Sequence, residues 1–298
     1  MTGQRQPPLA WCCNGLSLQA GGDPFFQRAI MYSFYRYSPL MAALLLALPG
    51  QGEPTSAPAA VPGEGFSSTF SIVAADPDTG ICGAAVASRF LAVGKVVAYA
   101  RGGVGAFCTQ HWHNPQWGDK ALDLLAAGKL PEDVLADLLR DDPRRDQRQL
   151  AIIDMDGRAA NRNPTKASGS SLYWGGMTGR YYACQGNTLT GREVVVAMAN
   201  VYEETKGSLA DRLMAALIAG DCAGGDHRGR LAAGIRIAKK GVEGYWLELH
   251  VDRSDDAVIE LARRYVELKH DAKGDWPGGQ PPFKHPCKDR PQPKPPAK

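Results

Sequence analysis

From Thr69 onward the chain is a succession of short apolar runs separated by turn residues. Phe70–Ala74 and Ile81–Ser88 have strand length and flank Asp76-Pro77-Asp78-Thr79-Gly80. In that linker proline presets φ, while Asp and Gly supply side-chain caps and positive φ, so a hairpin is predicted. Lys95–Ala100 and Gly103–Thr109 read as a third and a fourth strand. The period then changes. Ala121, Leu122, Leu124 and Leu125 fit a 3.6-residue repeat that stops at Gly128, and Pro131 opens a second helix running to Leu139. Gln149–Met155 is a strand followed by the turn Asp156-Gly157, and Tyr181–Gln185 is another. Arg192–Thr205 and Leu209–Ala219 are paired helices split by Gly207. Arg230–Lys239 and Tyr245–Val251 return to strand, and Asp255–Leu268 is a terminal helix capped by Ser254 or Asp255. Clustered hairpins with clustered helices predict an α+β fold rather than alternating βαβ units. Two antiparallel sheets between helix layers would bury every apolar face.

Composition changes the picture chiefly at the ends. The 298 residues are 44% hydrophobic and 22% charged, which supports a packed core and excludes wholesale disorder. Of the 21 prolines, eight fall in residues 1–68 and eight in 269–298. The tail from Lys269 carries seven Lys or Arg against three Asp, a net +4 that exceeds the +3 of the whole chain. The core from Thr69 to Leu268 is therefore near neutral, which argues against a nucleic-acid partner. The Pro/Lys-rich tail, 269–298, is expected to be disordered. No apolar run reaches the roughly 18 residues of a membrane span, so no stable span is expected.

The N-terminal region divides further. Residues 1–30 read as an irregular extension or a misassigned start, because Met31 begins a secretory pattern. Arg36 supplies the positive n-region, Leu40–Leu48 an apolar segment of signal-peptide length, and Ala57-Pro58-Ala59 small residues at cleavage spacing. Residues 31–59 are read as a signal peptide, the alternative being an uncut membrane tether, and 60–68 as a linker. The expected location is periplasmic or secreted. After residue 59 come Cys82, Cys108, Cys184, Cys222 and Cys287, an odd number, so at most two intrachain bridges form and one thiol stays free.

A threonine at the start of the core invites a chemical reading. If Thr69 became a chain terminus, its hydroxyl would be the nucleophile and its own α-amine, with a pKa near 7.7–8.0, the base. The plain alternative is a threonine favoured at a strand start. Ser88 and Arg89 close the second strand, and Arg89 or Arg101 could lower the amine pKa by charge repulsion or simply form an ion pair. Thr109, Gln110, Asn114, Gln185 and Asn187 stand at predicted strand ends. Side-chain amides there can donate to a developing oxyanion or hold a substrate amide, and can equally serve turns. Asp226, between glycines and Arg228, could orient an amine or cap a turn. Cys108 with His111 and His113 lacks a fourth metal ligand of suitable spacing, and Gly102-Gly103-Val104-Gly105 lacks a phosphate-loop pattern, so neither metal nor cofactor is expected. A thiol enzyme built on Cys82 or Cys108 has no adjacent base except His111.

Thr69-Phe70-Ser71-Ile72-Val73-Ala74, Ala85-Val86-Ala87-Ser88-Arg89-Phe90 and Gly103-Val104-Gly105-Ala106 with Thr109-Gln110 resemble a bacterial family of N-terminal nucleophile (Ntn) hydrolases whose reactions are uncharacterised. Asn114-Pro115 with Gly118, Gln185-Gly186-Asn187 and Gly224-Gly225-Asp226 with Arg228-Gly229 also look like its motifs. The resemblance spans Thr69 to Leu268. It implies a four-layer αββα fold and hydrolysis of an amide bond in a small amide, peptide or N-acyl compound, with Thr69 as nucleophile once the leader is removed. Proteasome-type subunits look similar around Ser88-Arg89, but this chain has Ala87 where they carry Asp. The competing expectation is a non-catalytic binding module for a peptide or cell-wall ligand. Sandwiches of this kind often associate, so a homo-oligomer is compatible with the sequence.

Overall fold

The computed structural model describes residues 64–166 and 169–271, with side chains to residue 268. The expected extension, signal peptide and most of the basic tail lie outside the described residues.

The predicted hairpin forms β2 (Thr69–Asp76) and β3 (Ile81–Ser88) in the register Asp76↔Ile81 to Thr69↔Ser88. Asp76 Oδ1 accepts from Asp78 N at 3.1 Å and Gly80 has φ 67°, the chemistry expected of that turn. Ahead of it stands β1 (Gly65–Ser67); after it come α1 (Val93–Val96), β4 (Ala98–Arg101) and β5 (Gly105–His113). Then follow α2 (Trp117–Ala126), α3 (Pro131–Leu139), β6 (Arg148–Asp154), β7 (Ala159–Arg162), β8 (Tyr173–Gly179) and β9 (Tyr182–Leu189). The last described elements are α4 (Glu193–Glu204), α5 (Leu209–Cys222), β10 (Ala232–Lys239), β11 (Leu247–Val251) and α6 (Ala257–Asp271).

The strands make two antiparallel sheets. One has the order β11-β10-β3-β2-β9-β8 and the other β1-β5-β6-β7, with β4 also on β5. Because β6 takes one edge of β5, β4 and β1 share the other, pairing with Gly105–Cys108 and His111–His113. The period of two in each strand decides which side chains go where. On β2, Phe70 and Ile72 pack under α4, α5 and α6 with Met198, Leu213, Leu217, Leu261 and Tyr265. Phe107, Leu150 and Ile152 pack under α2 and α3 with Leu122, Leu125 and Val134. The intervening residues Val73, Ala75, Ala84, Val86, Ala106, Cys108, Ala151, Ile153 and Ala183 form a third cluster, so the two sheets face each other across small side chains. The chain is thus mixed α+β, with two antiparallel sheets and helices against the outer face of each. Every large aliphatic or aromatic side chain taken fully out of water contributes about 1.5–3 kcal/mol to this arrangement.

Three expectations are corrected. Lys95–Ala100 is not one strand: Val93–Val96 is a short helix and only Ala98 onward is extended. Ala92 adopts φ 53°, its N–H donates to Asp252 O at 3.0 Å, and the helical turn points Val93 and Val97, one turn apart, into the inter-sheet cluster. Gly94 enters that turn because a Cβ there would collide with the His250 ring and with Gly234. Secondly, β7 and β8 were not anticipated. The first is four residues long, and the second contains three glycines and is only partly buried, so neither carries an apolar alternation. Thirdly, part of the expected linker 60–68 is ordered: residues 65–67 are β1, and Ser67 and Ser68 are fully buried.

Candidate functional site

The inter-sheet layer is apolar along most of its length and becomes polar at one end. On β2 the inward series Ala75, Val73 continues as Ser71 and Thr69; on β3 Ala84, Val86 continues as Ser88. On β5 the series Ala106, Cys108 continues as Gln110, on β6 Ile153, Ala151 gives way to Gln149, and on β9 Ala183 is followed by Gln185 and Asn187. All seven polar residues are fully buried. Strand pairing aligns them, with Thr69 opposite Ser88, Ser71 opposite Gln185, and Gln110 opposite Gln149.

Their hydrogen bonds form a connected network. Ser71 Oγ donates to Gln110 Oε1 at 2.6 Å, and Gln110 Nε2 donates to Thr69 O at 3.2 Å and to Gln149 Oε1 at 2.8 Å. Asn187 Nδ2 donates to the same Gln149 oxygen at 2.9 Å, and Gln149 Nε2 donates to Asn163 Oδ1 and Gly186 O. A buried network of this kind fixes the geometry of its members. Three polar atoms in it remain unpartnered, Nε2 and Oε1 of Gln185 and Oδ1 of Asn187. Unsatisfied buried amides are costly, so these groups are available for an incoming polar ligand.

Thr69 sits at the edge of this network with an arrangement of its own. Its hydroxyl donates to Ser88 Oγ at 3.3 Å. Ser88 Oγ also accepts from Phe90 N at 2.8 Å and donates its proton, at short range, to the carbonyl oxygen of Ser68. One hydroxyl therefore links the Thr69 side chain to the carbonyl of the peptide bond that precedes Thr69.

That bond is covered. Gly65–Ser67 pairs antiparallel with His111–His113, and the Phe66 ring packs edge-on against His111 with centroids 4.9 Å apart. Glu64 anchors the segment. Its carboxylate lies 2.5 Å from Arg148 Nη2 and 3.6 Å from Arg144 Nε. Arg148 is further held by Asp142, at 2.7 and 2.9 Å, and by Trp112 O at 2.6 Å.

The other predicted site residues fall outside the network. Arg101 lies at the opposite end of the sheets, where β4 meets Gly105, and pairs with Asp123 at 2.7 Å on the surface. Arg89 is at the Thr69 end but is exposed and donates to Arg228 O at 2.5 Å. For Arg101 the pair with Asp123 is the ion-pair alternative; the described bond of Arg89 is to a main-chain carbonyl. Thr109 points to the opposite face of β5 from Gln110, and its Oγ1 accepts from Asn114 N at 3.1 Å. Asn114 Oδ1 accepts from Gln116 N at 3.0 Å, an Asx turn leading into α2. Asn114 is thus a turn residue, and Thr109, on β5, holds that turn. Asp226 is fully buried and bound by Arg228, whose Nη2 is 3.0 Å away. Sequence reasoning missed Glu64, Ser71, Asp142, Arg144, Arg148 and Gln149. Ser71 and Gln149 carry a signal in retrospect, as polar residues at inward positions of apolar strands; Arg148 ends the charge-rich run 141–148 and carries none.

Burial disfavours thiolate chemistry at the free cysteines among the described residues. Cys82, Cys108 and Cys184 are free and buried, and burial pushes each thiol up to about 12. Cys222 is disulfide-bonded. His111, the only nearby base for Cys108, is directed at Gln147 O, 2.6 Å from its Nδ1, and burial lowers its pKa. With the thiolate so disfavoured, native protein at pH 8 is expected to resist iodoacetamide at all three positions and to be alkylated there only after unfolding; peptide mass mapping reads this directly. Labelling of Cys82 or Cys108 in the native state would restore the thiol reading. Among the described residues no group of three or more His, Cys, Asp or Glu side chains is placed to hold a metal ion, and no helix is long and apolar enough to cross a membrane.

Comparison with known proteins agrees with the extent of this core. A model for a family described as a family of unknown function, DUF1028, matches residues 69–261, beginning at Thr69 itself. A solved protein from Silicibacter pomeroyi, SPO2555, described under the same family model, is similar at 30% identity and a TM-score of 0.62, over 70% of this chain and 88% of that one. No curated protein matches the chain. The chain belongs to DUF1028, a family of unknown function.

Proposed function

We propose that the protein is an exported Ntn-type hydrolase, its sheets and helices forming the four-layer αββα sandwich of that class. On this reading Thr69 becomes the nucleophile after its own peptide bond to Ser68 is cut, and it then hydrolyses an amide bond in a small amide, peptide or N-acyl compound. The observation that carries the reading is the position of Ser88, bonded at once to the Thr69 hydroxyl and to the Ser68 carbonyl.

The chemistry follows from that geometry. The Thr69 hydroxyl oxygen attacks the Ser68 carbonyl carbon and passes its proton to Ser88 Oγ, while Ser88 gives its own proton to the carbonyl oxygen as that oxygen gains charge. Phe90 N–H keeps Ser88 oriented, and Gln110 holds the Thr69 carbonyl. Collapse of the tetrahedral species returns the proton to the Thr69 nitrogen and breaks the C–N bond, leaving Ser68 as an ester on Thr69 Oγ. Water hydrolyses the ester, the leader departs as a carboxylate, and Thr69 is left with a free α-amine. That amine then serves as general base toward the Thr69 hydroxyl in each turnover. Ser88 is poised to donate to the substrate oxyanion, and the unpartnered Gln185 amide supports a contact to the substrate's own amide.

The test is the N-terminus of the purified protein. Intact mass and terminal sequencing should find a chain that begins at Thr69. A chain that retains Ser68 indefinitely has Thr69 buried and its nitrogen in amide linkage; it leaves only the scaffold for a non-catalytic binding module.

A further inference from the structure

We infer that the cleft vacated by the leader binds an extended acidic peptide, with Arg144 and Arg148 receiving a carboxylate four residues before the residue whose carbonyl is cleaved. The inference rests on Thr69 acting as nucleophile, and it names the substrate class of that same site.

The first argument is chemical. The ester that Thr69 forms with Ser68 during self-cleavage is the same kind of species as the acyl-enzyme formed from a peptide substrate. Groups that hold the acyl side of one are therefore placed to hold the acyl side of the other. In the uncut chain that acyl side is Glu64-Gly65-Phe66-Ser67-Ser68, running as an added strand on the free half of β5. Once it leaves, the main-chain groups of His111–His113 on that edge lose their partner strand, and an extended peptide can replace it by strand addition.

The second argument is electrostatic. Arg148 is 1% exposed and the Glu64 side chain 3%. With the leader in place, two guanidinium groups, Arg144 and Arg148, face two carboxylates, Asp142 and Glu64. Loss of Glu64 leaves two cations against Asp142 alone, at the floor of the vacated cleft. Arg148 stays fixed by Asp142 and Trp112 O, so the emptied site presents preplaced guanidinium groups that favour another carboxylate at that place. Arg144 also lies over the Trp112 ring, 4.5 Å from its centroid, which limits its freedom to swing away.

The remaining positions sharpen the class. The Phe66 ring meets His111 and Trp112, so an aromatic side chain suits the position two before the cleaved residue. Ser67 and Ser68 are enclosed and their hydroxyls find no partner, so small residues are required there but hydroxyls are not. A Cβ at Gly65 would press on the His113 ring, so the fitting substrate is a peptide of the pattern acidic, glycine, aromatic, small, small, cut after the last residue.

The probe is the pentapeptide acetyl-Glu-Gly-Phe-Ser-Ser linked to a fluorogenic amine, compared with its Gln counterpart on protein whose terminus has been verified as Thr69. The Glu peptide should be hydrolysed with a kcat/KM about tenfold to a hundredfold above that of the Gln peptide, as expected for one charge-assisted contact. Arg144→Gln should shrink that ratio, chiefly through KM; a merely structural role for Arg144 would lower both peptides together and leave the ratio as it was. Arg144 is chosen because Arg148, bonded to Asp142 and Trp112, is more exposed to folding failure when replaced. Equal hydrolysis of the two peptides, or hydrolysis of neither by protein beginning at Thr69, overturns the acidic subsite while leaving the nucleophile standing. A chain that never exposes Thr69 overturns both.

Discussion

Thr69→Ala is expected to yield a chain that stays joined at Ser68–Thr69 and hydrolyses no amide. The substitution removes the only hydroxyl placed against the Ser68 carbonyl by way of Ser88. Deleting a covalent nucleophile lowers turnover by at least ~10⁴-fold in enzymes that depend on one. The cost to stability is small by comparison, because a single neutral hydrogen bond is lost and the strand position is filled by a smaller side chain, for a net of about 1 kcal/mol. A folded, uncut, inactive protein is therefore the expected product. Thr69→Ser should separate mechanism from packing: it keeps the hydroxyl, gives up the methyl group, and should still cut itself. Intact mass over time, with a thermal melt for each variant, reads all of this. A Thr69→Ala chain whose mass shows the leader removed at the same bond would assign the cut to another agent and leave Thr69 without its role as self-cleaving nucleophile.

Ser88→Ala is expected to slow release of the leader by about 10²–10³-fold without abolishing it, the usual effect of deleting one oxyanion donor. The nucleophile remains, but the developing charge on the Ser68 oxygen loses its donor and the Thr69 hydroxyl loses its acceptor. Phe90 N–H also loses its partner, and because that bond is only part-buried the cost is about 0.5–1.5 kcal/mol, so the melt should fall while folding persists. The time course of cleavage, followed by mass, distinguishes the two contributions. A variant that is destabilised but cuts at the original rate would reduce Ser88 to a strand-end packing residue. The effect should also appear in turnover of an added substrate once the leader is gone, because the same hydroxyl faces the same oxygen position.

The sequence was informative where one strand or one helix sufficed to make a pattern. The β2–β3 hairpin follows from its own apolar runs and from the Asp-Pro-Asp-Thr-Gly turn, and α5 follows from its spacing after Gly207; the Ser208 cap on the Asp211 N–H is a finding of the structure. It failed where long-range packing overrode local preference. Val96 and Val97 favour strand, yet Ala92, Gly94 and the approach of His250 turn that stretch into a helix. The half-exposed β8 gave no alternation to read, because Gly176 is required for close approach to Asn161 and Cys184 rather than for any periodicity.

The candidate site divides in the same way. Residue type at the head of a core pointed to Thr69, and the family resemblance pointed to Ser88, Gln110, Gln185 and Asn187; strand register then brought these together in one buried cluster. Arg101 was a reasonable guess from charge alone, but it belongs to the far end of the sheets, and its exposed pair with Asp123 contributes little. Glu64 and Arg148 are 84 positions apart, and nothing in either neighbourhood announces the other.

What the sequence determined by itself is the class of fold and most of its longer elements, because burial of alternating and 3.6-spaced apolar residues is a local property of each segment. It also determined that the basic character resides in the tail. What only the tertiary structure decided is which polar residues meet. A period of two states that Thr69 and Ser71 share a face, but not that Gln110 and Gln149 of another sheet face them, nor that a segment expected to be a linker lies paired on β5 with its carboxylate buried between two arginines. Those contacts depend on sheet-to-sheet apposition, and that is set by the fit of alanine-rich surfaces across the whole inter-sheet layer rather than by any one stretch of chain.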